Sequence, residues 1–200
     1  MLITFEGIDG SGKSTQIELL REKLQELGKT VQVFREPGGS GISELVRNVL
    51  LNPDYAIDPV TELLLFSSAR SQLISEKVIP ALDAGNIIIL DRFYDSTTAY
   101  QGYGRGSLAL SKIELINEIA SHHKAPDFTF YLRLSIEESN KRRAHLSKDR
   151  MEQAGDEFFK KVIKGFDEVA KAESRVVTID ATQSKEAIHS QIINMLSSKL

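Results

Sequence analysis

Eight consecutive residues, Gly7-Ile8-Asp9-Gly10-Ser11-Gly12-Lys13-Ser14, satisfy the pattern G-x-x-x-x-G-K-[ST], with Thr15 beside them. Glycines at this spacing let successive backbone N–H groups turn toward phosphate oxygens. Lys13 then supplies a point charge to the β and γ phosphates, and the Ser14 hydroxyl is a hard oxygen ligand for Mg2+. At ordinary residue usage the pattern arises by chance in roughly one chain in 150 of this length. The expected chemistry is binding of a nucleoside triphosphate.

The carboxylate that completes such a site belongs at the end of a neighbouring apolar strand, and Ile87-Ile88-Ile89-Leu90-Asp91 ends in one. Ser14 and Asp91 are therefore the candidate metal ligands. Arg92, directly after, can clamp phosphoryl oxygens with its planar guanidinium. A third cluster comprises Arg35-Glu36-Pro37-Gly38-Gly39, Arg47, Phe66 with Arg70, and Ser96-Thr97-Thr98-Ala99-Tyr100-Gln101-Gly102. Phe66 and Arg70 stand four apart, so on a helix a planar base could stack on the ring while the guanidinium reaches an exocyclic oxygen. Taken alone, the pair reads more readily as a core phenylalanine beside a solvated arginine. Lys141, Arg142, Arg143, His145, Lys148, Asp149 and Arg150 crowd one stretch with little apolar periodicity, which predicts a mobile basic segment between two helices.

These clusters need a scaffold that brings strand ends together. Apolar runs at 2–6, 31–34, 86–91, 128–134 and 175–180 predict five strands. Between them apolar residues recur every three or four positions over 14–27 (closed by Gly28), 42–51, 60–83 (interrupted near Pro80), 158–169 and 184–196. Ser111 and Ser135 each precede a Glu by three residues, the spacing of a capping box ahead of a helix. The alternation predicts an α/β fold: a five-stranded parallel sheet covered by helices on both faces, because parallel strands require crossovers. Ligands then sit at the carboxyl ends of the strands, where all three clusters fall.

Composition narrows the class further. The chain has 200 residues, 41% of them apolar, enough to bury one core, and a single domain over 1–200 is expected. With 25 Lys+Arg against 28 Asp+Glu it is neither a basic nucleic-acid coat nor a disordered acidic tail, so any bound anion must be held by a local cluster. The absence of Cys excludes disulfides, thiolate catalysis and Cys-ligated zinc, and His122, His123, His145 and His189 form no metal motif. No stretch approaches the roughly 20 apolar residues of a membrane helix, and the residues from Met1 to Glu6 lack the basic start of a signal peptide. A soluble cytoplasmic protein is expected.

Together, Phe5-Glu6 leading into the glycine loop through Thr15, Arg35-Glu36-Pro37-Gly38-Gly39, Phe66-Ser67-Ser68-Ala69-Arg70, Asp91-Arg92-Phe93, Ala99-Tyr100-Gln101-Gly102, Pro126-Asp127 and Asp149-Arg150 resemble the bacterial thymidylate kinases of the P-loop nucleoside-monophosphate kinase group. The resemblance spans essentially the whole chain. It implies a homodimer that phosphorylates dTMP to dTDP with ATP and Mg2+ by direct in-line transfer, with no nucleic acid or membrane as partner. It points Arg35, Arg47 and Arg92 toward the dTMP phosphate, with Glu36 and Pro37 in the same loop. It places Asp9 at the sugar 3′-hydroxyl and the phosphate-binding arginine, Phe66 against thymine, Arg70 at O4 and Tyr100 under C2′, with Thr97 and Gln101 lining the base pocket. One branch of the family carries a catalytic arginine inside the glycine loop. Gly10 stands there in this chain, so the resemblance implies that Lys13, Arg92 and Asp9 are joined by a positive charge from a basic lid at about 141–153, the candidates being Lys141, Arg142, Arg143 and Arg150.

Rival readings each lack something. A kinase for another acceptor would not need Phe66, Arg70 and Tyr100 together. A GTP switch would need N-K-x-D, whereas Asn140-Lys141 is followed by Arg142-Arg143. A nucleic-acid-dependent ATPase would show a basic stripe.

Overall fold

The structure is a computed structural model and describes residues 1–145, 149–197 and 199; residues 146–148 of the expected lid lie outside the described residues. Five strands, β1 (Leu2–Glu6), β2 (Val31–Arg35), β3 (Ile87–Asp91), β4 (Phe128–Arg133) and β5 (Val176–Asp180), pair in parallel in the order β2-β3-β1-β4-β5. The central strand β1 is buried along its whole length, which is why Leu2, Ile3 and Phe5 do not alternate with exposed polar residues. On one face Ile3, Phe5, Ile89, Phe130 and Ile179 form the larger core, and on the other Leu2, Ile88 and Leu90 pack with Leu73, Val78 and Phe93.

The crossovers are helical. Helix α1 (Lys13–Glu26) lays Ile17, Leu20 and Leu24 on the larger core and is closed by Gly28 at φ 76°. Helices α2 (Gly41–Leu51) and α3 (Pro59–Leu73) pack on each other between β2 and β3. The expected single helix over 60–83 is in fact α3, a wider π-helical turn (Ile74–Val78) and the short α4 (Ile79–Asp83). Pro80 has no N–H, and its ring collides with the carbonyl four residues back, so the distortion falls in the turn before it.

After β3, helix α5 (Tyr94–Thr97) runs into a second π-helical stretch, Thr98–Gly104, where the N–H of Arg105 reaches the carbonyl of Tyr100 five residues back at 2.8 Å. Nothing in the apolar spacing predicted a helix there. Helix α6 (Leu110–Ala120) begins at Ala109 with no side-chain cap, so Ser111 sits inside the first turn and the expected capping box is not formed. The box at Ser135 is real: its hydroxyl accepts from the Glu138 N–H at 3.2 Å and starts α7 (Ile136–Arg143). The basic residues Lys141, Arg142 and Arg143 form the last turn of that helix rather than a loop, where they complement the negative end of its dipole. A short turn (Glu152–Ala154) leads to α8 (Asp156–Ala172), and α9 (Lys185–Leu196) closes the chain from an N-cap at Ser184.

Strand order reverses around β1 and β3, and the crevice at their carboxyl ends is where this architecture binds ligands. Phe5 pairs with Asp91 and Asp91 with Arg35 in register, so the glycine loop, the strand-end carboxylate and the arginine loop leave the sheet side by side.

Candidate active site

The phosphate cleft is built mainly from backbone. Leaving β1, the chain turns at Gly7 (φ 132°), Gly10 (φ 79°) and Gly12 (φ 93°). A Cβ on Gly7 would stand 2.5 Å from the carbonyl oxygen of Leu132, so β4 leaves no room for a side chain there. Helix α1 starts at Lys13 with no acidic residue in its first turn, leaving its positive end free for an anion. Lys13 is buried, and its Nζ donates to the carbonyls of Gly7 at 3.1 Å and Ile8 at 3.2 Å. Burial and the neighbouring Arg92 push its ammonium below the ordinary value, against Asp91 and Asp9.

Ser14 Oγ donates to Asp91 Oδ2 at 3.4 Å, and Asp91 Oδ1 is buried with no hydrogen-bond partner. Among the described residues no group of three or more His, Cys, Asp or Glu could hold a metal by itself. A hydroxyl beside a carboxylate with one unsatisfied oxygen fits Mg2+, which takes one or two protein oxygens and completes its shell with phosphates and water.

Arg92 holds the centre. Its backbone is left-handed (φ 71°), a conformation costly for a side-chain-bearing residue, and it turns the chain abruptly so that Asp91 and Arg92 both reach the cleft. The guanidinium donates to Gly7 O at 2.9 Å, Ser96 Oγ at 3.2 Å and Asp9 Oδ1 at 2.7 Å. Burial opposes ionisation of Asp9, yet Arg92, Lys13 and Arg143 hold its carboxyl well below the usual carboxylate range. Asp9, Arg47 and Arg92 line both the phosphate cleft and the adjoining pocket. Arg47 donates to Pro37 O at 2.8 Å, while Arg35 faces Glu44 at 3.0 Å on the rim of the phosphate cleft.

The adjoining pocket brings together Glu36, Pro37, Phe66, Arg70, Thr97, Tyr100 and Gln101. Phe66 is half-buried and faces the pocket from α3. Arg70 is buried, not solvated: its Nε donates to Glu36 Oε2 at 2.7 Å, its Nη1 to Asn117 Oδ1 at 3.4 Å, and its guanidinium lies 5.5 Å from the Phe93 ring centre. Burial pushes the Glu36 carboxyl up to about 7 against the pull of Arg70, and its Oε1 has no partner. Tyr100 meets Phe158, Phe159 and Phe166 edge-on, with the Arg92 guanidinium 5.2 Å above its ring. It is at once a core residue and a wall of the pocket.

The lid arginines separate. Arg143 lies over Gly10, where an added Cβ would meet its Cδ at 3.2 Å, and it pairs with Glu152. Arg142 is a clamp, donating to Glu138, to Gly10 O at 3.1 Å and to Ala181 O at 3.0 Å. Lys141 is exposed and 3.8 Å from Glu138. Arg150 is not brought to the glycine loop: its Nη1 is 2.6 Å from Glu62 and its Nε donates to Leu50 O at 2.6 Å.

The sequence profile of the thymidylate kinase family matches residues 5–192. A thymidylate kinase of Thermoanaerobacter sp. (strain X514) is 45% identical over 199 residues, covering 99% of this chain and 98% of its own. One from Chlorobaculum parvum is 47% identical over 207 residues, covering 98% and 95%. The chain belongs to the thymidylate kinase family. The crystal structure of the thymidylate kinase from Ehrlichia chaffeensis superposes with a TM-score of 0.79 at 36% identity over 98% of both chains, so the family's parallel-sheet fold is shared throughout.

Several residues of this thymidylate kinase site were not singled out from sequence. Glu6 is buried under Arg92 and accepts from the N–H of Phe93 at 2.8 Å; burial, reinforced by Asp95, pushes its carboxyl up to about 8. Asn117 arrives from α6, a distant element, and left no local signal. Glu62 left one: it stands four residues before Phe66 and eight before Arg70, on the same helical stripe.

Proposed function

We propose that this chain, acting as one domain over 1–200, catalyses ATP + dTMP → ADP + dTDP by direct in-line transfer. The observation that carries the reading is the junction of two clefts that share Asp9, Arg47 and Arg92, one walled by the glycine loop and Lys13, the other by Phe66, Arg70 and Tyr100. Two phosphates entering from opposite sides meet at Arg92. The acceptor phosphate oxygen is already a nucleophile, so no general base is needed, and catalysis consists of positioning and charge neutralisation. Ser14 and Asp91 would hold a Mg2+, which would neutralise charge on the phosphates.

Lys13 and Arg92 face the transferring group, and Arg143, lying over Gly10, is the lid cation placed to join them. Arg35 and Arg47 take the dTMP phosphate, with Asp9 orienting Arg92 and the sugar 3′-hydroxyl. Phe66 stacks on thymine and Arg70 offers its remaining donor, Nη2, to O4. Tyr100 backs C2′, so a ribose hydroxyl would be buried against the ring without a partner, at a cost of about 1–3 kcal/mol. Coupled ADP release across a panel of monophosphates tests the whole reading: dTMP should be the best acceptor, ribothymidine monophosphate roughly fivefold to 150-fold worse in kcat/KM. Equal rates for purine monophosphates would remove it.

No helix among the described residues is long and apolar enough to cross a membrane. A cytoplasmic setting fits nucleotide substrates and a chain without Cys. A second copy of the chain is the partner we infer, supported by the exposed apolar side chains Ile42, Leu45 and Val49 on α2, Leu64 on α3 and Leu115 and Ile119 on α6. These helices pack side by side, α2 on α3 and α3 on α6. Sedimentation at micromolar concentration should give the mass of a dimer.

A further inference from the structure

Glu62 is 1% exposed, and both of its oxygens are used. Oε1 accepts from Gln101 Nε2 at 3.0 Å and from Arg105 Nε at 3.2 Å; Oε2 faces Arg150 Nη1 at 2.6 Å and Arg105 Nη2 at 3.3 Å. Burying a carboxylate is costly and weak evidence for stability, since apolar residues of the same volume often serve as well. A buried charge retained beside a ligand pocket therefore asks what its geometry fixes. Of its three partners, Gln101 is the one that lines the acceptor pocket.

A side-chain amide can offer a ligand either its NH2 donor or its carbonyl acceptor, whereas a carboxylate only accepts. Because Glu62 takes Nε2, the Gln101 atom left for the pocket is Oε1. Arg70 is fixed in the complementary sense: with Nε on Glu36 and Nη1 on Asn117, it brings a donor. We propose that Glu62 is a positioning residue for base selection, locking the Gln101 amide with its oxygen toward the base. The pocket then accepts from a ring N–H and donates to the neighbouring exocyclic oxygen, the pattern of thymine at N3 and O4. It rejects a ring that carries a lone pair at N3 and an amine at C4. Arg150 anchors the distal end of the lid on the other oxygen of the same carboxylate, so the lid and the base pocket share one support.

The inference rests on the acceptor-site reading above, and the test separates the two. kcat/KM is measured at about pH 8 for dTMP and 5-methyl-dCMP, which differ only in the N3 and C4 pattern. The wild type should prefer dTMP by at least about a hundredfold, because two buried polar groups are left unpaired by the wrong base. Glu62→Gln keeps the volume but lets position 62 donate, so the Gln101 amide can turn over. The preference should shrink at least about fivefold, the scale of one hydrogen bond to a buried group, with KM for ATP unchanged. The double variant Glu62→Gln/Gln101→Glu returns an acceptor-only group to the base side and should restore the preference.

A wholly structural Glu62 would lower Tm in the single variant and leave the preference unchanged, which overturns the proposal. If Glu62→Gln does not fold, the double variant decides: restored preference supports the proposal, and a folded double variant without it overturns it. A wild type with no preference between the two bases overturns it as well. A wild type that fails to phosphorylate dTMP overturns the acceptor-site reading instead.

Discussion

The phosphate half and the base half of the site are made of different materials. The phosphate half draws mainly on two short segments, 7–15 and 91–92, joined by Arg35 and Arg47, and its working parts are backbone amides, a helix end, one lysine and a few arginines. The base half draws on α3, the π-helical stretch after α5, α6 and the lid, and its working parts are side chains held by the buried carboxylates Glu36 and Glu62. On the proposed reading, main-chain donors on the glycine loop meet a charge that every nucleotide carries, and side chains locked by ion pairs meet the one feature, the base edge, that differs between nucleotides. Damage to the first half should therefore fall on rate, and damage to the second on selectivity and stability together.

Lys13→Ala and Arg92→Ala should show this most sharply. Each should lower kcat by at least about a hundredfold, the scale of losing one preorganised charge contact, and Lys13→Ala should leave Tm within a few degrees of wild type because its ammonium hydrogen-bonds loop carbonyls and meets Asp9 only at 4.0 Å. Near-normal turnover in a folded Lys13→Ala protein would break the comparison. The two lid arginines divide along the same line. Arg143→Ala should cut kcat by roughly tenfold or more while KM for dTMP changes little, since its contact matters mainly in the closed complex. Arg150→Ala should instead lower Tm and blunt the preference for thymine, because it strips a partner from buried Glu62. Steady-state kinetics with thermal melts on both variants decide, and identical profiles would refute the division.

A separate test concerns pH dependence. Burial raises Glu36 to about 7 and Glu6 to about 8 from an ordinary 4.5. In the folded state these carboxyls keep protons that the unfolded chain releases, so their contribution is full below about 4.5 and is lost as pH rises toward 8. Each group contributes a slope of at most about 1.4 kcal/mol per pH unit. Urea unfolding should therefore give lower stability at pH 8 than at pH 5.5, and Glu36→Gln should flatten the part of the slope below about 7. A flat profile in the wild type would show that Arg70 keeps Glu36 ionised throughout.

The phosphate half was legible because its signal is local: Gly at positions of positive φ, a Lys-Ser pair opening a helix, an Asp closing an apolar strand. The inner strands β1, β3 and β4 could be placed because burial on both faces concentrates apolar residues in one run, whereas the partly exposed edge strands β2 and β5 carry shorter apolar stretches. The base half was legible only through resemblance. Phe66 and Arg70 taken alone suggested a solvated arginine, and the guanidinium proved to be buried because Glu36 and Asn117, 34 and 47 residues away, meet it. No periodicity carries such a contact. The capping box expected at Ser111 failed because the chain enters α6 two residues early, at Ala109. The helix carrying Tyr100 and Gln101 was missed because four consecutive buried residues, Ala99 to Gly102, match neither a period of two nor one of 3.6.

On the proposed reading, that stretch makes base recognition depend on chain length as well as on side-chain identity. In a regular α-helix successive residues rotate by about 100°; in this looser π-helical stretch Tyr100 and Gln101 are both buried. Deleting one residue between Gly102 and Gly104 would let the helix tighten and swing Arg105 away from Glu62, whereas most single substitutions in the same span would not. Families that diverge by gaining or losing single residues in loops change little, but here an indel is a change of register, and the pocket would lose its thymine code with every contact residue still present in the gene.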